Sequence, residues 1–111
     1  MKKVSKKIAN ALNKKISNLI IVNGGLFKND TGLSDIYNLP TKFGDLFIAI
    51  NKEHDCYYSV FTRFEEPNLI TKEIAQYSPN THSGKCNFFF PPSELIYAFD
   101  CIENYFKNIV K

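Results

Sequence analysis

The sequence predicts one α+β domain, residues 1–111, in which helices pack on a three-stranded, mainly antiparallel sheet. Apolar residues recur every three or four positions near both ends of the chain, which is the helical period. Between these segments lie short stretches rich in β-branched and aromatic residues, which favour strands. A chain of 111 residues with 44% hydrophobic content is long enough to build one core. The predicted order of elements is α-β-β-α-β-α.

The first helix is predicted over residues 4–22. Its apolar stripe has a spacing of three to four residues and comprises Val4, Ile8, Leu12, Ile16, Leu19 and Ile20. Asn23-Gly24-Gly25 follows, and glycine adopts the left-handed cap conformation at low cost, so the helix should end there. The end "LIIV" could instead form a short strand. Residues 26–44 are rich in turn formers and predict a long loop.

The central part of the chain predicts the sheet. Residues 45–50 and 56–65 are strands joined by a polar turn, and Pro67 stops the second of them. Residues 68–77 form a short helix capped by Asn68. Residues 85–90 form the third strand, and we expect the strand order 3-1-2. Ser93 then caps a final helix whose inward residues are Leu95, Phe99, Ile102, Phe106 and Ile109.

Charge is distributed unevenly along the chain. The formal net charge is +3, but residues 1–29 carry seven lysines and no acidic residue. The first helix therefore presents a basic surface formed by Lys2, Lys3, Lys6, Lys7, Lys14 and Lys15. This surface can be a solvated helix face, a site for the phosphates of a nucleic acid, or a site for an acidic protein. We expect no membrane partner, because the apolar stripe lacks aromatic residues and is needed for the core.

Catalytic and metal-binding motifs are not supported by this sequence. Ser83-Gly84-Lys85 lacks the first glycine and the hydroxyl residue of a phosphate-binding loop, and it precedes a strand instead of a helix. His54, Cys56, His82 and Cys86 could form a zinc site only if two separate pairs converged. Nothing in the sequence places a base beside a cysteine. We therefore expect a protein that is not an enzyme and has no cofactor.

The predicted environment is a cytoplasm with reduced thiols. Cys56, Cys86 and Cys101 are an odd number of cysteines at wide spacing, which does not suggest a disulfide framework. Lysines interrupt the N-terminal segment, so the apolar core of a secretion signal is missing from it.

Three blocks of the sequence resemble a family of small uncharacterised proteins of bacteriophages and other mobile elements. They are "LPTKFGDL" (39–46), "SVFTRFEEP" (59–67) and "NTHSGKCNF" (80–88). The chain departs from the family pattern at Cys86, where an aromatic residue is common, and at Phe89, where histidine is common. The resemblance carries no activity. It implies a genomic setting in which small accessory proteins often bind and block host systems such as restriction or CRISPR.

The functional prediction combines this setting with the charge. We expect an accessory protein that binds a host protein or nucleoprotein in the host cytoplasm and blocks it sterically. The basic helix would meet the partner, and Arg63, His82 and Lys85 would form a second patch. The alternative is an accessory protein that binds DNA or RNA directly through the basic helix. The oligomeric state does not follow from the sequence.

Overall fold

The computed structural model describes residues 3–52, 57–65, 81–82 and 85–111. One α-helix precedes the described sheet and another follows it. Helix α1 is Lys6–Val22 and helix α2 is Ala98–Ile109, and a 3₁₀ helix over Pro92–Tyr97 leads into α2. The predictions of an α+β protein, of a basic first helix and of a last helix with one apolar face are confirmed by these elements.

Five antiparallel strands of five to eight residues form the sheet, and a two-residue strand extends one edge. The spatial order is β1-β2-β3-β4-β6-β5, and every described pair is antiparallel. The strands in chain order are β1 Leu26–Asp30, β2 Ser34–Thr41, β3 Gly44–Asn51, β4 Tyr58–Phe64, β5 Thr81–His82 and β6 Lys85–Phe90.

The predictions of a three-stranded sheet and of the element order α-β-β-α-β-α are wrong, because residues 26–41 of the predicted loop form a hairpin of two further strands, β1 and β2. Strands β1 and β2 pair from Leu26 opposite Asn38 to Asp30 opposite Asp35. All five residues of β1 are exposed, and its sequence LFKND does not alternate apolar and polar residues, so the usual signal of a strand is missing. Pro40 is tolerated in β2 because it lies beyond the part of the strand that pairs with β1, where no partner needs its missing N–H.

Two further predictions are corrected by the sheet and the last helix. The strand order 3-1-2 is wrong, since β6 pairs with β4 and the other edge of β3 is occupied by β2. Ser93 does not cap the last helix, because the 3₁₀ helix begins at Pro92 and the α-helical turn begins at Ala98. The predicted helix over residues 68–77 and most of the turn before β4 lie outside the described residues.

The core lies between one face of the sheet and the two α-helices. Burial alternates along β4, where Tyr58, Val60, Thr62 and Phe64 are buried and the residues between them are not. Tyr37 Oη donates a hydrogen bond to Ser17 Oγ on α1 at 2.8 Å. The ring of Phe88 packs edge-on against Tyr105 of α2, with 5.1 Å between the centroids. Both α-helices therefore cover the same face of the sheet.

Neither α1 nor α2 packs on the opposite face of the sheet, and we use the name open face in that sense alone. Its side chains alternate with the core residues and include Asn38, Phe47, Phe61, Arg63 and Phe89. Among the described helices, none is long and apolar enough to cross a lipid bilayer.

Candidate functional site: a lysine face and a cationic row

The first candidate site is the outer surface of α1. Ala9, Leu12, Ile16 and Ile20 are buried at a spacing of three to four residues, so the helix turns its remaining residues outward. The result is a surface that we call the lysine face, made of the exposed residues Lys3, Lys6, Lys7, Lys14 and Lys15. The predicted Lys2 lies outside the described residues.

The charges of the lysine face oppose the dipole of the helix. Backbone dipoles place partial positive charge at a helix N-terminus, where acidic side chains are stabilising and basic ones are not. Helix α1 has no acidic residue in its first turn, and that turn begins with Lys6 and Lys7. The position of these lysines is therefore not explained by the stability of the helix, and both the dipole and the ammonium groups favour an anion.

The lysine face is also poorly neutralised by the rest of the described chain. The ion pairs among the described residues join Lys52 to Asp30 at 2.6 Å and to Asp35 at 3.3 Å, and none involves Lys6, Lys7 or Lys14. Lys15 lies over the ring of Phe99, with Nζ 5.1 Å from the centroid. At least three exposed ammonium groups can therefore take an external partner.

The second candidate site is a row of cationic residue types across three strands. In the register of the sheet, Arg63 of β4 is opposite Lys85 of β6, and Lys85 is opposite His82 of β5. The exposed guanidinium of Arg63 also lies over the ring of Phe47, 5.5 Å from its centroid. Arg63 lies on the open face, and the register places positions 85 and 82 in line with it across the neighbouring strands.

The nine predicted binding residues thus do not form one surface. The lysine face lies on the helical side of the molecule, whereas Arg63 lies on the open face, on the other side of the sheet, in register with positions 85 and 82. The sheet does place the three sequence blocks side by side, since Leu46 of block 39–46 is opposite Phe64 of block 59–67, and Arg63 of that block is opposite Lys85 of block 80–88. These blocks are adjacent in space although they are distant in sequence.

A groove between α1 and the segment 92–100 was not anticipated from the sequence. Ile8 was predicted in the buried stripe, but 51% of its surface is exposed, because the stripe passes through Ala9 instead. Ile96 and Tyr97 are 78% and 64% exposed. The sequence did carry a signal for this exposure, because Ile96 and Tyr97 fall outside the helical spacing of Leu95 and Phe99.

Thiol and metal chemistry receives no support from the described residues. In the part of the chain whose side chains the structure describes, no three His, Cys, Asp or Glu residues lie close enough to hold a metal ion. Burial raises the pKa of the half-buried Cys101 thiol, which disfavours the reactive thiolate. His54 and Cys56, half of the hypothetical zinc set, lie outside the described residues.

Comparison with known proteins adds no family to this picture. No protein-family model, curated protein or solved structure matches the chain. The candidate sites therefore depend on their own geometry and charge.

Proposed function

We propose that the protein is a non-enzymatic accessory protein that binds a host protein or nucleoprotein and blocks it sterically. The observation that carries the proposal is the lysine face, where Lys6, Lys7 and Lys14 are exposed and have no acidic partner among the described residues. Exposed charge of one sign attracts a partner of the opposite sign and raises the rate of association. The partner surface is therefore acidic or carries phosphates.

The host setting of the proposal comes from the resemblance to small proteins of bacteriophages and mobile elements. Such proteins act in the cytoplasm of the infected cell, and an anti-CRISPR or anti-restriction inhibitor is the kind of role we propose. Steric blocking requires a protein large enough to cover the partner's site, and it requires no catalysis. The molecule measures 37 × 26 × 21 Å along its principal axes. That size suffices for a standard protein interface of about 800 Å² per partner.

Capture of a partner from host lysate tests the proposal. The wild-type protein should retain a host component that the variant Lys6→Gln/Lys7→Gln/Lys14→Gln loses. The matched control removes the same charge elsewhere, through Lys28→Gln, Lys42→Gln and Lys107→Gln, all of which are exposed. The control should capture as much partner as wild type does. Equal capture by wild type and the Lys6/Lys7/Lys14 variant would refute the proposed role of the lysine face.

Direct binding of DNA or RNA is the second candidate function. It is favoured by Arg63, whose guanidinium lies over the ring of Phe47 and whose strand position is in register with Lys85 and His82, because nucleic acids are bound by cations and aromatic rings together. Nuclease treatment of the lysate separates the two functions, since a protein partner survives it. For duplex DNA, each phosphate contact contributes a slope of about −0.9 to the salt dependence of log affinity. If the duplex lies on the lysine face, the Lys6→Gln/Lys7→Gln/Lys14→Gln variant removes three such contacts and should flatten that slope by about 2.7.

A further inference from the structure

A groove lined mainly by apolar side chains lies between α1 and the segment 92–100. It has a volume of about 540 Å³ and is open to solvent. Its α1 wall is formed by Ile8, Leu12 and Lys15, and its other wall is formed by Leu95, Ile96 and Phe99. Volumes of this size accommodate several side chains of a ligand.

The apolar side chains at the edges of the groove are exposed and contribute little to the core. Leu12 and Leu95 are buried and form its floor, whereas Ile8 and Ile96 leave 51% and 78% of their surface in water. Exposed apolar side chains that are concentrated along one groove mark sites of association in soluble proteins. A partner that covered these two residues would remove their apolar surface from water, which is favourable.

The charge beside the groove selects the partner. On the α1 side, Lys15 lines the groove and the lysine face continues beyond it, with no acidic residue anywhere on the helix. On the other side, Asp100 is the one charged residue of the lining. A segment lying in the groove therefore meets positive charge along its α1 flank, whereas the segment that forms the opposite wall carries Asp100 and the exposed Glu94.

We infer that this groove binds an amphipathic helix of a partner protein that carries acidic residues along one flank. Ile8 and Lys15 are seven residues apart, so the α1 wall is about 10 Å long, the distance between positions i and i+7 of a partner helix. Helices commonly bind grooves through anchors at i, i+3 or i+4 and i+7. This inference rests on the proposed function, and it adds the chemical class of the partner.

A synthetic peptide tests the inference directly. The probe is a labelled helix of about 18 residues built from Leu, Ala and Glu, long enough to extend beyond both ends of the groove. A peptide of the same composition with the Leu positions scrambled, and a peptide with Lys in place of Glu, serve as ligand controls. Fluorescence anisotropy should show binding of the acidic amphipathic peptide at low salt and weaker binding of both controls.

Two pairs of variants locate the binding site. Ile8→Gln/Ile96→Gln should weaken binding of the acidic peptide by about tenfold or more, because both side chains would be buried in the complex. Ile21→Gln/Val22→Gln is the matched control, since these residues are 50% and 78% exposed on α1 but do not line the groove. The control should change the affinity by less than about twofold. All four residues are exposed, so both variants should fold.

The outcomes separate this inference from the proposed function. Equal weakening by both variant pairs, or equal binding of the scrambled peptide, would overturn the groove as a specific site. Binding to phosphatidylserine vesicles with no binding of the peptide would also overturn it, and would indicate a membrane surface instead. In either case, loss of host capture by the Lys6/Lys7/Lys14 variant would leave the proposed function standing. Peptide binding that depends on Ile8 and Ile96, with unchanged host capture by that lysine variant, would support the groove and refute the proposed role of the lysine face.

Discussion

Replacing Gly25 by alanine should destabilise the protein more than replacing its neighbour Gly24. A Cβ added at Gly25 would overlap Ile20 Cγ2 and would lie 2.8 Å from the Ile20 carbonyl oxygen and 3.3 Å from that of Asn38. Ile20 is fully buried, so its side chain cannot move away freely. The Gly25 N–H also donates to the Ile20 carbonyl at 2.8 Å, and any shift weakens that bond. Overpacking costs about 1–3 kcal/mol, and a weakened hydrogen bond adds about 1 kcal/mol.

Gly24 is the informative control because the usual argument from backbone angles favours it. Its φ of +92° is a conformation that other residues rarely adopt, but nothing lies within 4 Å of an added Cβ. Strain alone should cost about 1–2 kcal/mol. Urea unfolding followed by circular dichroism measures both variants, and an unchanged m-value supports the comparison of their free energies. A Gly24→Ala variant that is less stable than Gly25→Ala would refute the packing argument.

Three further predictions concern the strands, an ion pair and a thiol. Phe88→Ala should lower the free energy of unfolding by about 3–5 kcal/mol and Phe89→Ala by less than about 1 kcal/mol in urea titrations, because Phe88 is buried and Phe89 is 41% exposed. The hydrogen bond from Lys52 lowers the pKa of Asp30 below its usual 3.8. The ionised carboxylate therefore stabilises the fold above pH 3.8, and this contribution is lost as the pH falls through the lowered pKa. Wild type and Asp30→Asn should differ in stability at pH 7 and converge in strong acid. Burial raises the pKa of the Cys101 thiol, so iodoacetamide should modify it more slowly in the folded protein than in urea. Peptide mass spectrometry measures the two rates, and equal rates would contradict the burial of this thiol.

The helices and the last strand could be predicted because their signals are local. Helix α2 keeps its apolar spacing over three turns, and β6 occupies the predicted range Lys85–Phe90. The lysine face followed from the position of the buried stripe on α1. The exposure of Ile8 did not follow, because the stripe passes through Ala9, a residue too small to stand out in an apolar pattern although it is fully buried.

The missed parts of the fold depend on long-range pairing or on weak local patterns. Strand β1 has no buried residue, and it is defined as a strand by its pairing with β2. Arg63 and Lys85 are adjacent because β6 pairs with β4, and neither strand contains a residue that specifies this neighbour. The groove beside α1 likewise depends on where the segment 92–100 crosses the helix. The sequence could therefore indicate cationic residues for binding but could not say which of them share a surface.

The outer edge of β1 is irregular, which disfavours pairing with a strand from another chain. Its hydrogen-bonding pattern is interrupted between Phe27 and Asn29, and the residue at the irregularity is the exposed Lys28. A bulge and a charge on an outer strand discourage addition of a strand from another chain. Many copies of the protein can therefore be present together without joining edge to edge into ribbons.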